Sequence, residues 1–175
     1  MSSTEAPSAP VAAPAPPRPR DTIAGLDRVD TAILRALQAN ARISNLELAE
    51  VVNRSPSAVS ERVKRLSREG YITGFRVRID PDKVGAGQTV FVKVTLSRAQ
   101  HDLVHGVREA IARQPEVVDC YMMAGEFDFL LKLRVPDMGA CQQIVEGIFR
   151  GMPGVREIRT YAVMKQLKDS DWLPI

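Results

Sequence analysis

The sequence predicts an α+β protein in two parts, a tri-helical N-terminal unit followed by a βαββαβ unit. Three observations predict it. Between residues 26 and 70, apolar residues recur at helical spacing in three segments, each opened by a residue suited to capping a helix. At Phe75 the period falls to two residues, and breakers follow at Asp80-Pro81 and Gly85-Ala86-Gly87. From Gln88 onward the stretches alternate as strand, helix, strand, strand, helix, strand.

The first helix opens on Asp27 and carries Val29, Ile33, Leu34 and Leu37 at helical spacing as far as Asn40. The second starts more sharply. In Ile43-Ser44-Asn45-Leu46-Glu47-Leu48, Ser44 can cap the amide of Glu47 while Glu47 reaches back to Ser44, and Ile43 and Leu48 form a staple. Asn53-Arg54 make a short turn after Val52, since Asn tolerates a left-handed backbone. Ser55-Pro56 open the third helix, with Pro where its missing N–H costs nothing, and Gly70 closes it. Phe75, Val77 and Ile79 then alternate with Arg76 and Arg78, the pattern of a strand or wing.

In the second part, strands are expected at 89–96, 117–123, 126–135 and 155–166, and helices at 100–113 and 137–150. Leu103, Val107 and Ile111 give the first of these helices an apolar side; Cys141, Ile144, Val145 and Ile148 do so for the second. Gly125 marks a tight hairpin. This order is that of the ferredoxin-like split βαβ arrangement, one sheet with both helices on one face. The bare face needs a partner, and a second copy of the chain is the expected one. The domains are therefore a Pro/Ala-rich tail at 1–24, a helix-turn-helix domain at 25–80, a linker at 81–87, the βαββαβ domain at 88–168 and a short tail at 169–175.

Composition narrows the function. With 45% hydrophobic and 26% charged residues, the chain of 175 residues can build cores, and a net charge of +3 excludes a polycation. No apolar run reaches membrane-spanning length and no secretory signal opens the chain, so a cytoplasmic protein without a membrane partner is expected. The first twenty residues hold six of the twelve prolines, and are expected to stay disordered as a solubilising tail whose Arg18 and Arg20 can touch phosphates. Cys120 and Cys141 are too few and too far apart for a disulfide framework or a zinc motif; two partly buried free thiols are expected.

The third helix carries the functional signal. At about 100° per residue, Val59, Val63 and Leu66 fall on one side and bury, while Ser57, Glu61, Lys64, Arg65 and Arg68 fall opposite, flanked by Ser60 and Arg62. Such a helix can seat its apolar stripe on the first two and offer its other face to the major groove of double-stranded DNA. Ser57, Ser60 and Glu61 are short enough for base edges, and Lys64, Arg65 and Arg68 can reach bases or phosphates. The start of the second helix at Ser44 can take a backbone phosphate, and Arg76 and Arg78 a neighbouring one.

Other chemistries fit less well. Glu126 and Asp128, two apart on an expected strand, could do acid–base work, but no nucleophile with an adjacent base and no Gly-rich phosphate loop accompanies them, so neither an enzyme nor a cofactor is expected. His101, His105 and Glu109 share one helix face at a spacing able to hold a divalent ion, although a solvated polar face explains them more simply. A small-molecule-sensing module acting without DNA is the remaining alternative.

Several stretches together resemble the Lrp/AsnC (leucine-responsive/asparagine-responsive) family of transcriptional regulators. In the N-terminal half they are Leu26-Asp27-x-x-Asp30 with Ile33-Leu34, Ala41-Arg42-Ile43-Ser44-Asn45-x-Glu47-Leu48-Ala49, Ser55-Pro56-Ser57-Ala58-Val59-x-Glu61-Arg62-Val63-Lys64-Arg65-Leu66 and Gly70-Tyr71-Ile72-x-Gly74. In the C-terminal half they are Gly125-Glu126-Phe127-Asp128-Phe129, Arg134-Val135-Pro136-Asp137-Met138, Pro153-Gly154-Val155 and Thr160-Tyr161-Ala162-Val163-Met164. The resemblance implies a winged helix-turn-helix followed by an effector and oligomerisation domain, with homodimers that commonly assemble to octamers and bend DNA. It further implies an amino acid or related small metabolite bound between dimers. Carried over by position, that effector site involves Met122, Gly125, Glu126, Asp128 and Met138 together with Tyr161, Ala162 and Val163 from the last strand. Glu126 stands where the family often has Asp.

Overall fold

The computed structural model describes residues 25–97 and 103–175. The Pro/Ala-rich tail with Arg18 and Arg20, the expected helix start at Gln100, and His101 lie outside the described residues.

Three helices open the described chain: α1 (Arg28–Ala39), α2 (Asn45–Val52) and α3 (Pro56–Arg68). Their starts follow the capping chemistry. Asp27 caps α1 and accepts from the Asp30 N–H, while the Asp30 carboxylate accepts from the Asp27 N–H. Ser44 and Glu47 make the reciprocal box at α2, and Ser55 with Pro56 opens α3. Asn53, at φ 50°, is the one non-glycine residue in left-handed backbone among those described, and it makes the turn between α2 and α3. Leu26, Ile33, Leu48, Ala49, Val52, Val59 and Leu66 bury together between the three helices, with Val63 at the margin.

The second architecture is a four-stranded antiparallel sheet of β1 (Gln88–Leu96), β2 (Val117–Met122), β3 (Phe129–Val135) and β4 (Val155–Ala162), in spatial order β2-β3-β1-β4. Helices α4 (Leu103–Ala112) and α5 (Met138–Phe149) complete the βαββαβ order. Alternation places Val90, Val92 and Val94 of β1 beside Phe129, Leu131, Leu133 and Val135 of β3 on the helix-covered face, where they bury with Val107, Cys141, Val145, Ile148 and Phe149. Phe91, Lys93, Leu130, Tyr121 and Tyr161 alternate onto the other face, where Tyr121 and Tyr161 are about half exposed. Of the two thiols, Cys141 is buried and Cys120 is exposed.

Three expectations are corrected. Residues 75–79 form no strand, and Phe75, Val77 and Ile79 are all exposed. Their alternation is that of a strand, but a strand exists only against a ladder partner, and none is supplied by the described residues of this chain. The hairpin between β2 and β3 is not tight, because β3 starts at Phe129 and residues 123–128 form the connection. Gly125 there does not adopt the left-handed backbone that would require glycine. Asp128 sets the limit: its N–H donates to Val94 O, its carboxylate accepts from Leu96 N at 2.7 Å, and its O accepts from Met123 N. Finally, β4 stops at Ala162 rather than at residue 166. Ala162 already pairs with Val90 and the Val163 N–H with Thr89 O, so β1 runs out.

The chain divides into two compact units. One runs to Val77 and also takes in Ser170–Ile175; the other is Arg78–Asp169. The last residues thus belong with the helices. The Arg35 Nε–H donates to Ile175 O at 2.7 Å and the Leu173 N–H to Gln38 Oε1 at 2.8 Å. Trp172, Leu173 and Ile175 line an apolar cleft of about 370 Å³ with Ala32, Ala36 and Val51. In the other unit, Arg78 and Asp169 are ion-paired where the chain enters and leaves it.

Leu131 is fully buried at the centre of the sheet, paired across to Val92 and Cys120. Leu131→Ala leaves a cavity that four rigid strands cannot close, and is expected to cost about 2–5 kcal/mol. Urea denaturation followed by far-UV circular dichroism reads that loss, and a cost under about 1 kcal/mol would show the sheet to be loosely packed.

Candidate nucleic-acid interface and effector site

Helix α3 meets α1 through charge as well as through its apolar stripe. Asp30, on the first turn of α1, is only 2% exposed, yet it is a carboxylate. Arg65 Nη2 donates to its Oδ2 at 2.6 Å and Arg62 Nη1 to its Oδ1 at 2.8 Å. The same Arg62 nitrogen reaches Asp27 Oδ2 at 2.7 Å, and Arg65 Nη1 reaches Glu69 Oε2 at 3.4 Å. Burial pushes the Asp30 carboxyl up, but the hydrogen bonds from Arg65, Arg62 and the Asp27 N–H together outweigh it and hold the group below the usual aspartate range. The bonds to Asp27 and Asp30 raise Arg62, and the bond to Asp30 raises Arg65. Removing either arginine takes one of two charge partners from a carboxylate that water scarcely reaches.

The expected DNA-facing residues therefore separate into two groups. Ser57, Glu61, Lys64 and Arg68 are exposed on α3 and Ser60 is half-buried beside them. Lys64 pairs with Glu61 at 3.0 Å, with both side chains well exposed, so the pair is worth only about 0.2–1 kcal/mol and re-pairs readily. Arg68 makes no ion pair among the described residues. Arg62 and Arg65 differ. The helical wheel put Arg65 on the outward side, but both arginines are half-buried and turned onto α1. Ser44 is exposed, with its N–H and hydroxyl both donating to the Glu47 carboxylate at 2.8 Å. The residue that sequence reasoning missed is Asp30. Its signal was present, since Asp27-x-x-Asp30 has the spacing of a capping box and the arginines at 62 and 65 share one helix flank.

The expected effector residues also separate. Met122, Gly125, Glu126 and Asp128 sit at or in the β2–β3 connection, at the end of the sheet marked by Val94 and Leu96. Tyr161, Ala162 and Val163 lie at the opposite end, beside Val90 and Thr89. Met138 opens α5 just after Val135, which pairs with Gln88, so it belongs to the Tyr161 end and not with Met122. Four residues of extended β1 separate the two ends, about 13 Å. One copy of the chain does not bring the two groups together. Glu126 and Asp128 do not share a strand face, because both precede β3. Glu126 Oε2 instead lies 3.9 Å from Lys93 Nζ, which stands 4.6 Å over the Phe127 ring. Of the possible metal ligands on α4, His105 Nδ1 is 3.6 Å from Glu109 Oε1.

A helix-turn-helix unit joined to a βαββαβ unit defines a two-domain regulator that reads DNA with one part and a small molecule with the other. The comparisons agree at both ends. Residues 26–73 match the winged helix-turn-helix DNA-binding family and residues 89–173 match the Lrp/AsnC ligand binding domain. The leucine-responsive regulatory protein of Escherichia coli K12 is 41% identical over 150 residues, 86% of this chain and 92% of that one. The transcriptional regulator NMB0573 of Neisseria meningitidis, solved as a complex with L-Met, superposes with a TM-score of 0.79 at 32% identity, covering 85% of this chain and 96% of that one. An AsnC family regulator from Agrobacterium tumefaciens gives 0.80 at 30% identity, covering 85% and 97%. The chain belongs to the Lrp/AsnC family of DNA-binding transcriptional regulators, which are not enzymes.

The Asp30 cluster has a pH consequence. A carboxyl held below its ordinary value of 3.8 in the folded state stabilises that state fully above 3.8 and loses the contribution as pH falls through the lower folded value. The N-terminal unit is thus expected to lose stability in the acid limb below about pH 4. Thermal unfolding from neutral pH into that limb reads the effect. Asp30→Asn should be less stable at neutral pH and flatter in acid; an acid limb as steep as that of the parent would remove Asp30 as its cause.

Proposed function

We propose that the protein is a cytoplasmic, effector-responsive regulator whose operator contact runs through Ser57, Ser60, Glu61, Lys64 and Arg68 on α3, with a phosphate at the α2 end near Ser44. Its effector is an apolar α-amino acid or a closely related metabolite bound between copies of the βαββαβ domain at 88–168. The working unit is a homodimer assembled further, to an octamer.

The observation that supports the effector reading best is the sheet register, which sets the two halves of the site about 13 Å apart in one chain. A site using both halves takes Met122, Gly125, Glu126 and Asp128 from one copy and Met138, Tyr161, Ala162 and Val163 from another. Asp128 would receive the α-ammonium on a carboxylate already fixed by the Leu96 N–H. Backbone N–H groups around Gly125 would receive the α-carboxylate. Met122 and Met138, both well exposed, supply adaptable apolar walls with Ala162. That a relative at 32% identity forms a complex with L-Met supports an apolar amino acid as the class. Half-exposed Tyr121 and Tyr161 on the uncovered sheet face, and exposed Phe75, Val77 and Ile79 ahead of β1, are apolar surface that a second copy would cover.

A gel-shift titration on the DNA upstream of the protein's own gene, at two salt concentrations, with and without the twenty amino acids, tests the reading. A shift that weakens with salt and changes with the mixture is expected, and fractionating the mixture then names the effector. Binding indifferent to every amino acid would leave the DNA contact standing and empty the proposed site. Light scattering on the same samples reads the assembly, and a mass that stays at a dimer with and without the mixture would remove the octamer.

A further inference from the structure

Helix α3 turns two of its basic side chains onto α1. From Arg54 to Arg68 the sequence carries Arg54, Arg62, Lys64, Arg65 and Arg68 against the single acid Glu61, which reads as a footprint for phosphates. The fold changes that count. Arg62 and Arg65 meet three carboxylates, those of Asp27, Asp30 and Glu69, so this cluster is not a positive site. The two guanidinium groups and the buried carboxylate border one shallow depression with Gly25, Glu61 and Arg68.

We propose that Asp30 is a positioning residue that withholds Arg62 and Arg65 from DNA phosphates, leaving Ser57, Ser60, Glu61, Lys64 and Arg68 as the part of α3 that meets the duplex. The inference rests on the reading of the α3 outward face as the DNA face. Competition between acceptors decides it. An arginine that leaves Asp30 for a phosphate takes away one of the two charge partners of a carboxylate that is 2% exposed, whereas the phosphate it gains is already solvated and screened. Lys64 has no such restraint, because its partner Glu61 is as exposed as it is. Asp30 also ties α3 to α1 at two points one turn apart, which fixes the rotation of α3 about its own axis. The same contact thus sets which face of α3 looks outward and removes two charges from non-specific attraction, so recognition falls to short side chains that meet base edges.

The salt dependence of binding separates this from a merely structural ion pair. Each phosphate neutralised contributes about 0.9 to the slope of log affinity against log salt, whatever the effect of a variant on affinity itself. Full-length protein would be titrated with a short mixed-sequence duplex by fluorescence anisotropy over a salt series. Lys64→Ala and Arg68→Ala are each expected to lower the slope by about 0.9 per bound unit, while Arg62→Ala and Arg65→Ala leave it unchanged. Asp30→Asn, which keeps the side-chain volume, is expected to steepen it by up to about 1.8 per unit as both arginines are released. A loss of slope in Arg62→Ala or Arg65→Ala matching that of Lys64→Ala overturns the proposal, as does an unchanged slope in a folded Asp30→Asn. Should circular dichroism show Asp30→Asn unfolded, the two arginine variants decide on their own. Unchanged slopes for Lys64→Ala and Arg68→Ala mark a different failure. They would remove α3 from the DNA and take the proposal with it.

Discussion

The arrangement of the DNA-binding unit depends on one buried carboxylate. Helices of 12, 8 and 13 residues are too short to persist in isolation, and the seven side chains buried among them form a small core. Apolar contact is non-directional, so the burial of Val59 and Leu66 specifies the rotation of α3 less sharply than a directed bond does. Asp30 removes that freedom, because its two oxygens each accept from a different arginine of α3 while its backbone neighbour Asp27 closes the cap of α1. A buried ion pair contributes little net stability against an apolar replacement of the same shape. What it adds here is direction, two bonded points between α1 and α3 that favour one rotation of α3.

The sheet unit solves a different problem. Its core is complete on one face, where β1 and β3 run as alternating buried valines and leucines beneath α4 and α5. The residues proposed for the effector lie outside that core, Met122, Gly125, Glu126 and Asp128 at or in the β2–β3 connection and Met138, Tyr161, Ala162 and Val163 near the exit of β4, at opposite ends of the same four strands. Strand register is rigid, so no side-chain rotation brings the two ends together. In the proposed site, ligand binding and assembly would form one equilibrium: copies that meet would complete the site, and a ligand that fills it would favour the copies that have met.

Much of this was legible in the sequence because it is local. Ser44 and Glu47, Ser55 and Pro56, and Asn53 act on their own neighbours, and each sits in the structure as those residue types require. The periods of β1, β3 and α5 were legible for the same reason. Three features were not. The alternation of Phe75, Val77 and Ile79 states a capacity for strand pairing without supplying a partner. The start of β3 is set by Asp128 reaching Leu96, thirty-two positions away in sequence. Arg62 and Arg65 turn inward because of an acid on another helix, and a helical wheel drawn for α3 alone has no place for it. In each case the missing information is a tertiary partner, and the Asp27-x-x-Asp30 spacing shows that such partners sometimes leave a local trace.

The two units also share more chain than a single linker provides. The polypeptide leaves the first unit after Val77 and returns at Ser170, and Arg78 pairs with Asp169 at the two crossings. Between Ala162, the end of β4, and Ser170 lie only seven residues. The returning segment ends on α1, where Leu173 and Ile175 bond Gln38 and Arg35, eight and five residues along the helix from Asp30. The β4 strand, with Tyr161 and Ala162 at its end and Val163 just past it, is thus continuous, through one short connection, with a clasp on α1. By this route the chain from β4 reaches the helices at α1, the helix whose first turn carries the Asp30 carboxylate that bonds Arg62 and Arg65 of α3.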